Sequence, residues 1–432
     1  MLQSLNLYGI HTGGATTMTL LKPAEHLSDT DNNITNPESH KAKSTLFRNI
    51  FIYTILLAIC AIIFTPLIST LSIHAMDYSV HLKWASEMDS SHTVNLPHPL
   101  YHLLVILAKH IFTIDYAQSS TVIIVLSIFF LAALNYKVLS QYTSIAAAIF
   151  LSICLLIVTP LQAFYLLDSH LYFGYIGISI YHSPTMLLLK PLSLLAFCYA
   201  LKAANDQSKN GLTSGLALAL SLFFCGISKP SFLMIVLPAF LTFLLITKKL
   251  KIMLSRTYIY TCFFLPIFTV LGLQFFQTFF LQDLSKMVGS TENHIVIMPL
   301  ETMSHYSDFL LPKFFLSIAF PLAAFLFYPK QFIKDDANIL SSCCFLMGAI
   351  LTYFFAESGY RMYDGNFWWS GQIGLYLAFL FSLAFLLKNF KALTNSNTGK
   401  IKYAICFILL SLHAAFGVLF FKQELLHTAK FW

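Results

Sequence analysis

Apolar runs of about 20 residues recur along this chain from Phe51 almost to its end, and a helix of that length crosses the ~30 Å hydrocarbon core of a bilayer. Such a run has few soluble uses. Only 10% of the 432 residues are charged, against roughly 25% in an ordinary soluble domain. A β-barrel would show many alternating strands of ~10 residues instead. The pattern predicts an all-α, polytopic membrane bundle.

Eleven spans are expected, near 50–73, 117–135, 144–166, 184–202, 211–227, 231–247, 257–280, 309–328, 338–356, 369–387 and 403–421. Residues 1–46 lack a long apolar centre and read as a flexible cytoplasmic tail, leaving 47–432 as the transmembrane domain. Asn33-Ile34-Thr35 fits a glycosylation sequon, inert on such a tail. With the tail inside, 17 of 26 basic residues fall on cytoplasmic segments, as topology signals do. The net charge of +7 is therefore dispersed along short loops and does not mark a nucleic-acid surface. The eight cysteines lie in apolar runs without ligand spacing and read as packing residues.

The stretch Pro97 to Phe112 tests this topology. Its ~15 helical residues reach only ~22 Å, and it carries His98, His102, Lys109 and His110. Leu100, Leu103, Leu104, Leu107 and Ile111 share one face, which suits a helix lying on the outer membrane surface. Counted as a span, it would invert everything downstream. Read as a surface helix, it belongs to a long first outer loop, 74–116, with later outer loops at 281–308 and 357–368. Twelve of 19 acids and 11 of 15 histidines then lie outside, in keeping with an outward-facing site or simply with longer outer loops.

Four clusters could carry chemistry. Directly after the first span, Asp77 and His81 stand four apart and share a helix face. A carboxylate there, beside Trp84, can act as a general base or merely cap the membrane exit. Asp168 and His170 precede Tyr172, Phe173, Gly174, Tyr175 and Gly177, with His182 beyond them; these make either a sugar-stacking rim or an interfacial aromatic belt. Lys190 lies inside a span, where it faces a polar cavity or snorkels outward, and Lys229 sits at a helix break before Pro230, where it can bind phosphate. Glu357, Arg361 and Asp364 share a tight loop with Trp368 and Trp369; Arg361 can fork onto a phosphate or pair with its acidic neighbours. Glu87-Met88-Asp89 is a weak metal spacing, so no cofactor is expected. No Gly-rich phosphate loop, HExxH or nucleophile elbow occurs.

An acid just beyond the first span, a long outer loop with surface helices, and then many spans resemble the layout of the type C glycosyltransferases, membrane enzymes that use lipid-phosphate-linked sugars. The resemblance covers most of the chain from about residue 50 and rests on Asp77 as the matched functional position. It implies that Asp77 deprotonates an acceptor hydroxyl. That family often carries two acids at this point, whereas Tyr78 and Ser79 follow here. The implied reaction moves one sugar from a polyprenyl-phosphate donor to a glycan, lipid or protein acceptor outside the plasma (inner) membrane. Arg361, Lys229 and Lys190 are then donor-phosphate ligands, and His81, Asp168, His170, His182, Glu357 and Asp364 contact substrate. A transporter or flippase, with His413 and Lys190 as its deep ionisable residues, and a polysaccharide polymerase or ligase are the other readings. Only Lys286 provides positive charge in loop 281–308, against the second, and no internal repeat supports the first.

Overall fold

The computed structural model describes residues 37–94, 96–205, 212–277, 294–359 and 362–427, with side chains described from Leu46 onward except at 212 and 427. The first two helices are α1 (Pro37–His74) and α2 (Met76–Ser91). They are followed by α3 (Leu100–Phe112), α4 (Tyr116–Leu139), α5 (Ile145–Ile157) and α6 (Pro184–Asn205). Next come α7 (Leu212–Ser228), α8 (Ser231–Ile246) and α9 (Thr257–Phe276), the last running through a π turn at Tyr260–Phe264. The series closes with α10 (Leu310–Phe327), α11 (Asp336–Phe354), α12 (Trp368–Lys388) and α13 (Asn397–His427). One antiparallel pair, β1 (Ile295–Ile297) with β2 (Phe355–Glu357), joins two loops at one end of the bundle.

All eleven expected spans correspond to helices. Eight are long and apolar enough to cross a membrane, whereas α5, α7 and α8 are shorter at 13, 17 and 16 residues. The chain is a multi-pass helical membrane protein. The expected tail, with its sequon, lies almost wholly outside the described residues.

Residues 144–166 do not form the single span expected. Helix α5 stops at Ile157 because the residue before a proline is driven out of the helical region, and Thr159 precedes Pro160. The freed backbone is satisfied by neighbouring helices: Thr159 N donates to His413 O at 3.2 Å and Leu161 N to Leu316 O at 3.2 Å. Irregular backbone at this depth survives only where protein supplies such partners. His413 also contributes its ring, with Nδ1 2.5 Å from Thr159 O.

Helices α6 and α12 are buried almost throughout, and α12 packs so tightly on α11 that side chains cannot intervene. A Cβ at Gly348 would fall 2.6 Å from Ser370 O, and one at Gly374 would fall 2.7 Å from Cys344 O. Small residues give membrane helices this close approach.

The first loop is a folded structure, not a tether. Asp89 at the end of α2 accepts from Lys109 (2.7 Å), His110 (2.8 Å) and the Tyr116 hydroxyl (2.7 Å), tying α2, α3 and α4 together. These donors hold its carboxyl well below the usual range. Helix α3 has 13 residues, about 20 Å. It buries Tyr101, His102, Val105 and Ala108 against the protein and turns Leu103, Leu107 and Ile111 outward. An apolar outward face on a helix too short to span suits an interfacial position.

Polar side chains gather at both ends of the bundle. At one end, Lys249 bonds Asn205 and Asp336, both at 2.6 Å, and Lys388 bonds Asp335 at 2.9 Å. Asp335 also caps α11 through Ala337 N and Asn338 N. At the other end lie Asp77, His81, His182, Lys229 and the tryptophans of α12.

Candidate active site

Asp77 stands in the first turn of α2, its side chain 42% exposed. His81, one turn on, is buried, with Nε2 4.0 Å from Asp77 Oδ1 and Nδ1 3.0 Å from His102 Nε2. Burial, reinforced by Lys229 and His98, holds His81 down to about 3, and burial with His81 holds His102 to about 3 against the Pro99 carbonyl. Both imidazoles are thus neutral at physiological pH. The Asp77–His81 approach is a contact between a carboxylate and a neutral ring, and the half-open carboxylate remains accessible from outside.

Lys229 follows the last turn of α7, and Pro230 then starts α8. Its Nζ lies 4.2 Å from the Trp369 ring centroid, a cation–π geometry that fixes the ammonium at the helix break. Trp369 lies 5.9 Å from His182, whose ring meets Tyr172 edge-on at 5.5 Å. Burial pushes His182 down to about 4, with Asp77 opposing and Lys229 assisting. That neutral imidazole therefore feels both the acid and the cation: Asp77, Lys229 and His182 converge although α2, α7 and the 158–183 loop are far apart in sequence. Gln372 of α12 donates to the Tyr172 hydroxyl at 2.8 Å, fixing the ring.

The second expected cluster divides. His182 joins this site, whereas Asp168 is committed elsewhere, accepting from Lys313 and from Ser307 at 3.0 Å. Burial raises the Asp168 carboxyl, but these bonds and the His170 N–H outweigh it, so it lies below its ordinary range. Lys313 is fully buried and also donates to Phe173 O at 2.9 Å. This clamp pins the 165–175 loop to α10. Gly174, at φ +81°, fits beneath it because a Cβ there would stand 2.7 Å from Ser307 Cβ. His170 packs edge-on against Phe173 at 5.8 Å.

Lys190 lies away from the Asp77–Lys229 group. It is buried among Phe64, Leu155, Tyr181 and Tyr376 beside a cavity of about 10 Å³, room for one water, and donates to Ile178 O. Glu357 ends β2 and accepts from Asn366 at 2.9 Å, and Asp364 raises the Tyr306 phenol after burial, so both shape the late loop. Arg361 and Lys286 lie outside the described residues. Asp89 of the weak acid pair serves the α2–α4 tie.

Sequence reasoning passed over His102, Gln372 and Glu424 as site residues. Partnering across α2 and α3, or across α12 and the loop, has no sequence signal. Glu424 had none either: it lies just past the last expected span, 403–421, beside Lys422 and Gln423.

Comparison with solved structures finds similarity to the crystal structure of ArnT from Cupriavidus metallidurans bound to undecaprenyl phosphate. The TM-score is 0.48 at 10% sequence identity, covering 86% of this chain and 76% of that one. No family model matches the sequence, and no curated protein matches it.

Proposed function

We propose that this protein is a membrane glycosyltransferase in which Asp77 is the general base and Lys229 receives the donor phosphate, on the extracytoplasmic face of the plasma (inner) membrane. The observation that carries the reading is the meeting of an exposed carboxylate and a tethered ammonium across one neutral imidazole, His182. Displacement at an anomeric carbon needs those two charges on opposite sides of the reacting centre. The donor class, a polyprenyl-phosphate sugar, follows from the architectural resemblance described above.

The acceptor O–H proton passes to the Asp77 carboxylate as the acceptor oxygen bonds the anomeric carbon. The bond from that carbon to the phosphate oxygen breaks, and its electron pair stays on the phosphate. Lys229 offsets the charge that grows there. Asp77 then returns its proton to water, which its exposure permits. Tyr172, His182 and Trp369 offer ring surfaces suited to a sugar.

Purified protein in proteoliposomes, supplied with a labelled polyprenyl-phosphate sugar and a mixed acceptor extract, tests the reading. Label should leave the lipid for the acceptor with wild-type protein and stay put with Asp77→Asn. Movement of intact lipid-linked sugar between leaflets without transfer would instead make the chain a flippase.

A further inference from the structure

Glu424, near the end of α13, is only 1% exposed, and its Oε2 atom has no hydrogen-bond partner among the described residues. Phe420, one turn earlier on the same face, stacks on Tyr181 at 6.3 Å, and Phe421 meets that ring edge-on at 5.6 Å. Glu424 therefore continues the α13 face that packs on Tyr181, one turn nearer the end of the bundle that holds Asp77. Tyr78, the neighbour of Asp77, donates to Tyr181 O at 3.0 Å, closing the wall between them. Burial raises the phenols of Tyr78 and Tyr172; Tyr101 then raises that of Tyr78, and Asp77 and Glu424 raise both.

Other polar atoms close to Tyr172 are likewise unspent. Among the described residues, Gln372 uses Nε2 on the Tyr172 hydroxyl while its Oε1 has no partner, and Trp368, 6.3 Å from Tyr172, buries an Nε1 without one. Two acceptors and a donor withheld from water cost free energy unless something completes them. Unused acceptors beside aromatic faces match a ring-shaped polyol, whose hydroxyls donate and whose C–H faces stack.

We propose that Glu424, with Gln372 and Trp368, forms a sugar subsite beneath Asp77, in which Glu424 accepts an O–H or N–H of the transferred sugar and so decides which sugar is used. The assignment rests on the glycosyltransferase reading for its ligand class, but its test does not depend on turnover. Full-length protein in nanodiscs is treated with dicyclohexylcarbodiimide, which modifies buried carboxyls, and labelling at Glu424 is read by peptide mass spectrometry. The probes are polyprenyl phosphate and the same lipid carrying a hexose, a 6-deoxyhexose or an aminohexose. At least one sugar-bearing lipid should lower labelling several-fold while polyprenyl phosphate leaves it unchanged, and the pattern of protection separates an O–H from an N–H partner. Equal labelling with all four lipids overturns the subsite.

Glu424→Leu and Glu424→Gln distinguish recognition from packing. A carboxyl that merely packs is replaced by leucine without loss of binding. In a subsite, Glu424→Leu folds normally yet loses about tenfold or more in affinity for the protecting lipid, and Glu424→Gln, which keeps an acceptor, loses less. Wild-type binding by Glu424→Leu also overturns the proposal. Protection at Glu424 without any sugar transfer would sink the catalytic reading and leave the subsite standing.

Discussion

Asp77 and Asp168 lie at the same end of the bundle, and their surroundings are opposite. Asp168 is 13% exposed at its side chain and bound by Lys313, Ser307 and the His170 N–H. Asp77 is 42% exposed, and its nearest ring, His81, is neutral. A carboxylate bound on every side is committed to holding the fold; one left half-open beside neutral rings is accessible to other partners. The pair teaches that hydrogen-bond commitment, more than position in the chain, separates an acid bound into the scaffold from one open to the outside.

The largest expected effect tests that division directly. Asp77→Asn should lower sugar transfer by ~10²–10⁴-fold, the range for loss of a general base, while the thermal midpoint stays where it was. A variant that transfers sugar normally would remove Asp77 from the chemistry. Asp168→Asn should do the reverse. It leaves Lys313 buried without its counter-charge, at a cost of about 3–5 kcal/mol, read as a lower thermal midpoint and lower yield, with near-normal activity per folded molecule. The double variant Asp168→Leu/Lys313→Leu should recover much of that stability. If Asp168→Asn folds well but is inactive, the two acids share the reaction.

Lys229 sharpens the comparison from the cationic side, because Lys313 is neutralised by Asp168 whereas Lys229 rests on an aromatic ring. Lys229→Ala should raise the donor KM about tenfold, the worth of one charge-assisted contact, with kcat changed less. Lys229→Arg should retain much of the affinity. Equal donor KM values in wild type and Lys229→Ala would place the phosphate elsewhere.

The bundle was legible in the sequence because each span must be apolar along its whole length, a signal carried within one segment. Placing Asp77 and His81 on one face needed only helical spacing. The break at Thr159-Pro160 was equally local, yet the apolar residues around it masked it. The fates of Asp168 and Lys190 were not legible. Lys313 lies far along the chain from Asp168, and nothing near Lys190 announces that its ammonium turns to the Ile178 carbonyl. Whether an acid is spent or spare is decided by partners that tertiary packing brings, and a single sequence does not print those pairings.

The smallest effect concerns Asp89, a third acid of this end, bound like Asp168 but at the rim. Its carboxyl is lowered first by Lys109, then by His110 and Tyr116. A carboxyl whose folded value lies below its unfolded one, near 4, contributes stability that is fully present above that value and is lost as pH falls below it. The tie between α2 and α3 should therefore hold unchanged from pH 8 to pH 5 and loosen only below about pH 4. Hydrogen exchange of the amides in 100–112 at pH 7 and pH 3 reads this, with faster intrinsic-corrected opening expected only at the lower value. Equal opening at the two pH values would show instead that packing, and not the Asp89 carboxylate, holds α3 in place.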